Sequence, residues 1–398
     1  MAFLFGNKEK NPITDRMHSC DSTRLRQKYD TYYHVFEDQR GARVTKDGKE
    51  FVMLSSNDYL GLTHHPKIKE AGKKALEKWG GSTTGARLAN GGRIFHRELE
   101  ERLADFLGKE ACHVFSAGYL ACASAVTGFA ERKDLIFADK NLHSSLWSGI
   151  QLSGARCERF AHNNPEHLRE ILEAENPEIA KFLVLEGVYS MEGHVAKLPR
   201  FVELAKEFRA FVILDDAHGF GVLGHEGRGT CDHFGLTDEV DVICGSFSKS
   251  LAGAGGFVAS SGEAIEYMRS HSKQTIFSAA LSPVSCACSQ AALEVMQEEP
   301  EHRERLFENL ERYRSILDSL ELDTWESETP AIPIVLGEKE KVYYFWKALM
   351  EKGIYTIISI APGVPPGKDL IRTAISAAHT EEDLDRIEDA LTYAKSKI

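Results

Sequence analysis

The segment Val240–Phe257, VDVICGSFSKSLAGAGGF, is the stretch from which the fold is predicted. It opens with a short apolar run, Val240–Cys244, and continues with small residues around Lys249. Two similar runs precede it, KFLVLEG at Lys181–Gly187 and AFVILDD at Ala210–Asp216, and the three recur about every 30 residues. This is the size of a βαβ unit. The spacing therefore predicts an α/β fold with a mostly parallel central sheet and helices on both faces.

The rest of the chain extends this prediction in both directions. Further short apolar runs at 112–118, 134–139 and 256–261 are bounded by Gly, Asp or Ser, so we expect a large domain over residues 56–290. Residues 1–55 form a predicted N-terminal arm with a hairpin that turns at KDGK, Lys46–Lys49. Residues 291–398 form a predicted smaller C-terminal α+β domain, in which Glu298–Leu320 is one long charged helix.

Composition limits the classes of function. The 398 residues carry 48 basic and 60 acidic side chains, a net charge of −12, which disfavours binding to nucleic-acid backbones. No apolar run of 18 residues predicts a transmembrane helix. Eight scattered cysteines indicate reduced thiols and a cytoplasmic protein. The start, MAFLF, is the one hint of weak peripheral contact with the inner face of a membrane.

Lys249 has three possible roles. A phosphate-binding P-loop requires Gly directly before the lysine, but Ser248 stands there, so this reading is weak. A solvated loop lysine is the bland alternative, although small neighbours at a strand end indicate a pocket. The third role is a Schiff base with an aldehyde cofactor.

Asp215 and His218 follow the neighbouring strand. A metal site of His218, His225, Cys231 and His233 is one reading, but the irregular spacing matches no zinc pattern, and we predict no metal. The other reading pairs Asp215 with Lys249 for pyridoxal 5′-phosphate, which needs a lysine and an acidic partner for its pyridine nitrogen.

Other strand ends supply further candidates. Gly118 opens a helix after a strand and suits a phosphate, and Tyr119 follows it. His143 follows the next strand, where a flat imidazole could stack on a pyridine ring. Glu186 and Ser190 follow a third strand.

Taken together, these segments resemble the α-oxoamine synthases. These are fold-type I pyridoxal-phosphate enzymes that join an amino acid to an acyl-CoA and release CO2. SNDYLGL (Ser56–Leu62), GARLANGGRIFHRELE (Gly85–Glu100) and IRTAISAAHT (Ile371–Thr380) also match, in family order and nearly from end to end. Ala86 stands where the family usually has Ser. The resemblance implies an aminotransferase-like fold and a homodimer with shared active sites.

The resemblance also implies residue roles. Lys249 is similar to the family's Schiff-base lysine and general base, Asp215 to the partner of the pyridine nitrogen, His218 to the ligand of the ring 3-oxygen, and His143 to the stacking histidine. The remaining positions have binding roles: Gly118, Tyr119, Glu186, Ser190 and Ser246 toward the cofactor, Asn57 and Arg372 toward the amino-acid carboxylate, and Thr275 and Ser278 toward the partner subunit's cofactor phosphate.

Substrate choice is less defined. The Lys249 segment is most similar to members that condense L-serine with palmitoyl-CoA in sphingolipid synthesis, to give 3-ketodihydrosphingosine. DDAHGFGVLG (Asp215–Gly224) also resembles members that use L-alanine and a pimeloyl thioester in biotin synthesis. Ala361 replaces an arginine that many members carry. Two alternative functions outside this enzyme activity remain: a non-catalytic relative of the same fold, and a metal-dependent hydrolase.

Overall fold

A seven-stranded sheet forms the centre of the computed structural model, which describes residues 12–19 and 29–398. In chain order its strands are β4 (Ala111–Phe115), β5 (Leu135–Asp139), β6 (Arg156–Phe160), β7 (Lys181–Glu186), β8 (Ala210–Asp215), β9 (Val242–Ser246) and β10 (Gly256–Ser260). Across the sheet they are ordered β4-β10-β9-β8-β7-β5-β6. Only β10 is antiparallel to its neighbours, which confirms the predicted mostly parallel sheet.

The strand directions place the candidate site residues at one edge of the sheet. Strands β4, β5, β7, β8 and β9 all end at this edge, and β10 begins there. Ligands bind beyond the carboxyl ends of strands in such sheets. The candidate residues that follow these strands can therefore lie close together in one site.

Helices cover both faces of this sheet. Their buried sides are apolar at helical spacing, as in Ile94–Leu107, where Leu99, Leu103 and Phe106 are buried. Among the residues that the structure describes before position 300, the helices given with both ends are Pro12–Ser19, Pro66–Trp79, Ile94–Leu107, Gly118–Thr127, Ser144–Ser153, Pro165–Glu173, Leu198–Phe208, Thr230–His233, Gly262–His271, Lys273–Ile276 and Pro283–Glu298, with short 3-10 turns at His225–Gly227 and Thr237–Glu239.

The predicted hairpin is present. Strand β1 (Asp38–Arg40) pairs with β2 (Arg43–Lys46), and β2 pairs with β3 (Lys49–Met53) in antiparallel register. Asp47 and Gly48 turn the chain with positive φ angles of 51° and 69°, the conformation that Asp-Gly favours in two-residue hairpins. The short strand β12 (Ile354–Tyr355) adds to β3 in parallel, so the arm joins the C-terminal part of the chain.

The C-terminal part is α+β, as expected. It has a three-stranded antiparallel sheet of β11 (Ala331–Val335), β13 (Ile357–Ser359) and β14 (Leu370–Ala374), and the helices Glu301–Ser319, Lys339–Glu351 and Glu381–Lys395. The predicted long charged helix is present, but it begins three residues later than expected, as Glu301–Ser319. Helix Pro283–Glu298 ends before Pro300 and the new helix begins at Glu301, because proline has no N–H group to continue a helix.

The domain limits at residues 55 and 290 stay predictions, and helix Pro283–Glu298 runs through the second of them. MAFLF lies outside the described residues. Within 12–19 and 29–398, no helix has the length and apolar character needed to cross a bilayer. Seven cysteines lie in this part of the chain, and none forms a disulfide.

Candidate active site

A cavity of about 390 Å³ opens at the carboxyl edge of the large sheet. The structure brings many of the predicted residues to it. Its walls include Gly118, Tyr119, His143, Glu186, Asp215, His218, Ser246 and Lys249. These side chains come from loops after five strands, and the loops meet because the strands end at the same edge. Sequence positions that are more than 130 residues apart thus form one site.

Lys249 is a half-buried amine close to the carboxyl groups of Asp215 and Glu186. Burial lowers the pKa of its ammonium, while the charges of Asp215 and Glu186 act in the opposite direction. Burial also raises the pKa of Glu186 well above its usual value, and the nearby charge of Asp215 adds to this. Glu186 accepts a hydrogen bond from the backbone N–H of His143. The site therefore favours a neutral Glu186 and an amine at Lys249 that loses its proton readily.

His218 is held by a buried phenol. Its Nδ1 lies 2.7 Å from the hydroxyl of Tyr59, which is 1% exposed. Burial lowers the pKa of His218 well below its usual value and raises that of Tyr59 to about 12, so both groups are neutral at pH 7. The phenol donates to Nδ1, and the ring proton then sits on Nε2. His218 can offer this N–H as a donor.

His143 forms the amino-terminal cap of helix Ser144–Ser153. Its Nδ1 accepts a hydrogen bond from the Ser145 backbone N–H and lies 2.7 Å from the Ser145 hydroxyl. Burial lowers the pKa of the imidazole, with the charge of Asp215 opposing. The ring is thus neutral and fixed at one edge, which suits it to contact a flat aromatic ligand.

The structure tests whether the cavity suits a phosphate. Helix Gly118–Thr127 points its first turn at the cavity, and no side chain caps it. The hydroxyls of Ser246 and Ser248 lie 2.8 Å apart beside it. A Cβ added to Gly118 would lie 2.5 Å from the Ser246 hydroxyl, so glycine keeps this space open. Free backbone N–H groups, hydroxyls and open space fit a phosphate group.

Arg372 lies on β14 and is 7% exposed. Its Nε donates to the Ser190 carbonyl at 3.0 Å, and its Nη2 donates to Oδ1 of Asn57 at 2.9 Å. A guanidinium carries five N–H donors in one plane. Two of them are used by these contacts and a third interacts with the Tyr59 hydroxyl, so two N–H groups stay available for a carboxylate.

Five predicted residues are not among the walls of this cavity. Asn57, Ser190 and Arg372 form the cluster just described, and the charge of Arg372 acts on Lys249 and His218. Thr275 and Ser278 lie elsewhere. Thr275 is 5% exposed and lies near Ser124, with 3.5 Å between their hydroxyls, on the wall of a separate cavity beside Glu100. Ser278 borders a third cavity with Arg132 and Lys273. Their predicted contact with a partner subunit's cofactor stays a prediction. Tyr119 lies at the rim, where it is 47% exposed and its hydroxyl contacts Ser148.

The alternative metal ligands stay apart in the described part of the chain. His218 contacts Tyr59, His225 is exposed, and Cys231 is buried. These three and His233 do not form a cluster with metal-ligand spacing. The strand-end geometry thus gives no support to a hydrolase built on this set.

Sequence reasoning missed three side chains that hold the site. Tyr59 fixes His218, Ser145 fixes His143, and Ser248 contacts Ser246. Tyr59 lies inside the quoted SNDYLGL segment, and Ser145 lies two residues after His143. Both signals were present in the sequence, but spacing alone does not show which side chain supports another.

Comparisons with known proteins agree with this geometry. The family model described as "Aminotransferase class I and II" matches residues 49–391. The chain is 38% identical to a serine palmitoyltransferase of Bacteriovorax stolpii, over 99% of this chain and 94% of the relative. It is also 38% identical to an 8-amino-7-oxononanoate synthase of Thermoanaerobacter pseudethanolicus, over 88% of this chain and 89% of the relative.

A solved structure extends the agreement to the fold and the cofactor. A serine palmitoyltransferase variant from S. paucimobilis, with a bound aldimine of PLP and myriocin, is 30% identical to this chain. It superposes with a TM-score of 0.93, covering 97% of this chain and 99% of that one. The predicted fold class and cofactor are thereby confirmed. The chain belongs to the class I and II aminotransferase family, and within it to the pyridoxal-phosphate-dependent α-oxoamine synthases.

Proposed function

We propose that the protein condenses L-serine with a long-chain acyl-CoA such as palmitoyl-CoA. One C–C bond forms between the α-carbon of serine and the acyl carbonyl, and the thioester bond breaks to release CoA. The carboxylate of serine leaves as CO2, and a proton replaces it on the α-carbon. The product is 3-ketodihydrosphingosine, a precursor of sphingolipids.

Residues of the cavity would hold the cofactor in defined ways. Asp215 would pair with its pyridine nitrogen, the Nε2 proton of His218 would serve its 3-oxygen, and His143 would contact its ring. The Gly118 turn with Ser246 would take its phosphate. When bound, pyridoxal phosphate withdraws the electrons left on the α-carbon by loss of a proton or of CO2.

Lys249 has two tasks in this proposal. Its amine would hold the cofactor covalently until the substrate amine replaces it. The freed amine would then remove the α-proton of the amino acid as general base. Burial lowers its pKa, which supports this task because a neutral amine is then present at a lower pH than for a solvated lysine.

Arg372 would bind the substrate carboxylate. The single observation that carries the proposal is this buried guanidinium, which Asn57 and Ser190 orient while two N–H groups stay available. Such a fork matches a carboxylate in two-point contact. Ala361 offers no second cation at the position where many family members have arginine, so Arg372 would carry this contact alone.

The choice of serine rests on similarity over 94% of the length of the Bacteriovorax stolpii relative. A second candidate is the condensation of L-alanine with a pimeloyl thioester in biotin synthesis, favoured by the equal identity to the Thermoanaerobacter pseudethanolicus enzyme. Both reactions use the same cofactor, base and carboxylate contact. They differ in the small side chain and in the acyl group.

We further propose a homodimer in which Thr275 and Ser278 approach the partner subunit's cofactor phosphate. Their location outside the cavity of their own chain is compatible with this role. Co-expression of a Lys249→Ala chain with a Thr275→Ala chain tests the idea. Shared sites predict that the mixed dimer keeps one intact site and more activity than either variant alone.

Amino-acid titration of the holoenzyme tests the function. The visible absorption of the bound cofactor is followed while L-serine, L-alanine or glycine is added, and products with palmitoyl-CoA and with pimeloyl-CoA are identified by mass spectrometry. Saturable change with serine and the long-chain aminoketone product would support the proposal. If the enzyme turns over only alanine with pimeloyl-CoA, the second candidate function replaces the proposed one.

A further inference from the structure

A group of three potential metal ligands lies away from the cofactor cavity. His65 directly precedes helix Pro66–Trp79, Glu299 follows helix Pro283–Glu298, and His302 lies in the first turn of helix Glu301–Ser319. The break at Pro300 places Glu299 and His302 on the same side of this junction. One donor atom from each residue lies within 4.8 Å of the others.

The separations of the donor atoms match tetrahedral coordination. Oε2 of Glu299 lies 3.2 Å from Nε2 of His65 and 3.6 Å from Nε2 of His302. Two donors bound to a tetrahedral zinc ion at about 2.0–2.1 Å are about 3.4 Å apart. A cation between these atoms therefore needs only small side-chain movements.

Solvent access and charge also suit a cation. The side chains of His65, His302 and Glu299 are 14%, 18% and 29% exposed, so water can reach the remaining coordination position. Lys67 pairs with Glu298 next to this cluster. With that pair neutralised, Glu299 contributes one net negative charge beside two imidazoles.

A metal ion on Nε2 of His65 requires the ring proton on Nδ1. This Nδ1 is buried and has no hydrogen-bond partner among the described residues, so no acceptor there supports that tautomer. A metal ligand usually donates its second N–H to a neighbouring group, and loss of such a contact lowers metal affinity about 10–100-fold. The same observation thus predicts a site weaker than a structural zinc site.

We propose that His65, Glu299 and His302 bind Zn²⁺, or a similar divalent cation that prefers nitrogen and oxygen ligands, with water completing the coordination. Imidazole and carboxylate ligands are typical of this class of metal. The ion would join the start of helix Pro66–Trp79 to the junction of the two later helices. His65 lies a few residues after Tyr59, so the ion would also restrain the segment that supports His218.

Metal titration of the holoenzyme tests this proposal. Zn²⁺ binding is followed by calorimetry, and Co²⁺ is used as a second probe because four-coordinate cobalt absorbs visible light. We expect one ion per chain at this site. At a zinc concentration about 100 times Kd, the melting temperature should rise by about 3 °C, from the linkage relation and the usual unfolding entropy for a chain of this size.

Three variants separate this site from other zinc-binding groups such as the cysteines. His302→Gln and Glu299→Gln should each lower the affinity about a hundredfold or more and leave almost no rise in melting temperature at the same zinc concentration. His225→Gln changes an exposed histidine outside the cluster and should behave like the parent. Equal binding and equal stabilisation in the parent and in His302→Gln would overturn the proposal, as would a parent that binds no ion. Activity toward serine is not part of this readout.

Discussion

The Arg372→Lys variant is expected to lose affinity for the amino acid while cofactor binding is retained. The reason is the number of N–H donors that arginine and lysine can offer to a carboxylate. Arg372 uses one N–H for the Ser190 carbonyl, one for Asn57 and one for the Tyr59 hydroxyl, and two N–H groups remain for a carboxylate. A lysine ammonium has three donors in total. If it keeps the contacts to Ser190 and Asn57, only one donor is left for the substrate.

The magnitude follows from the lost contact. One hydrogen bond between charged groups contributes about 1.5–3 kcal/mol. Since about 1.4 kcal/mol corresponds to a factor of ten, KM for the amino acid should rise by about 10- to 150-fold. KM for the acyl-CoA should change little, because Arg372 does not contact that substrate in the proposed arrangement.

The assay is a steady-state titration of each substrate, together with the spectral titration of the cofactor by amino acid alone. Asn57→Ala is the matched second variant, since it removes one of the two contacts that orient Arg372. In a double-mutant cycle the two changes should be less than additive, because the second acts through the first. A change in amino-acid KM of less than threefold in Arg372→Lys, with the variant folded, would refute this reasoning.

Four further outcomes are expected. Lys249→Ala should lower kcat by at least about 10²- to 10⁴-fold, the usual contribution of a general base, measured as CoA release. Gly118→Ala should lower the cofactor retained after dialysis, because the added Cβ lies 2.5 Å from the Ser246 hydroxyl; Gly262→Ala, where the nearest atom is 3.7 Å away, should retain it. Asp383 accepts hydrogen bonds from Thr380 and Arg43, which hold its pKa below the usual value against the effect of burial. The lowered pKa of Asp383 stabilises the folded protein at pH values above the pKa of the unfolded state, and this stabilisation is lost as pH falls through the pKa of the folded state. Asp383→Asn should therefore weaken the dependence of the unfolding free energy on pH on the acid side. At pH 7 the substitution should lower the unfolding free energy by about 1–3 kcal/mol. His302→Gln should lose the zinc-dependent rise in melting temperature.

Local patterns in the sequence predicted the inner strands of the sheet but missed an edge strand. Six of the seven central strands were visible as apolar runs, because strands buried on both faces need them. Arg156–Phe160 was missed: it is the edge strand β6, it carries two arginines and a glutamate, and most of it is partly exposed. The Asp-Gly turn was also predicted, since it depends on a few adjacent residues.

The site could be predicted only in part from local pattern. Strand ends led to Lys249, Asp215 and His143, because parallel strands place their carboxyl ends together. The contact between Asn57 and Arg372 spans 315 positions, and no periodicity joins two residues so far apart. The family resemblance supplied that pair. Tyr59 was found by the structure, since only coordinates show which hydroxyl reaches His218.

The long separation of Asn57 and Arg372 has a consequence for biosynthesis. A ribosome makes every side chain of the cofactor cavity by Gly255, but Arg372 emerges more than a hundred residues later. A nascent chain could therefore bind its cofactor before it could orient an amino acid. Strand β14 is central in its small sheet, so a chain truncated before Leu370 would also leave β11 and β13 without their shared partner. In the proposed arrangement, a chain synthesised only to Gly255 would therefore hold Lys249 without the guanidinium that orients an amino acid.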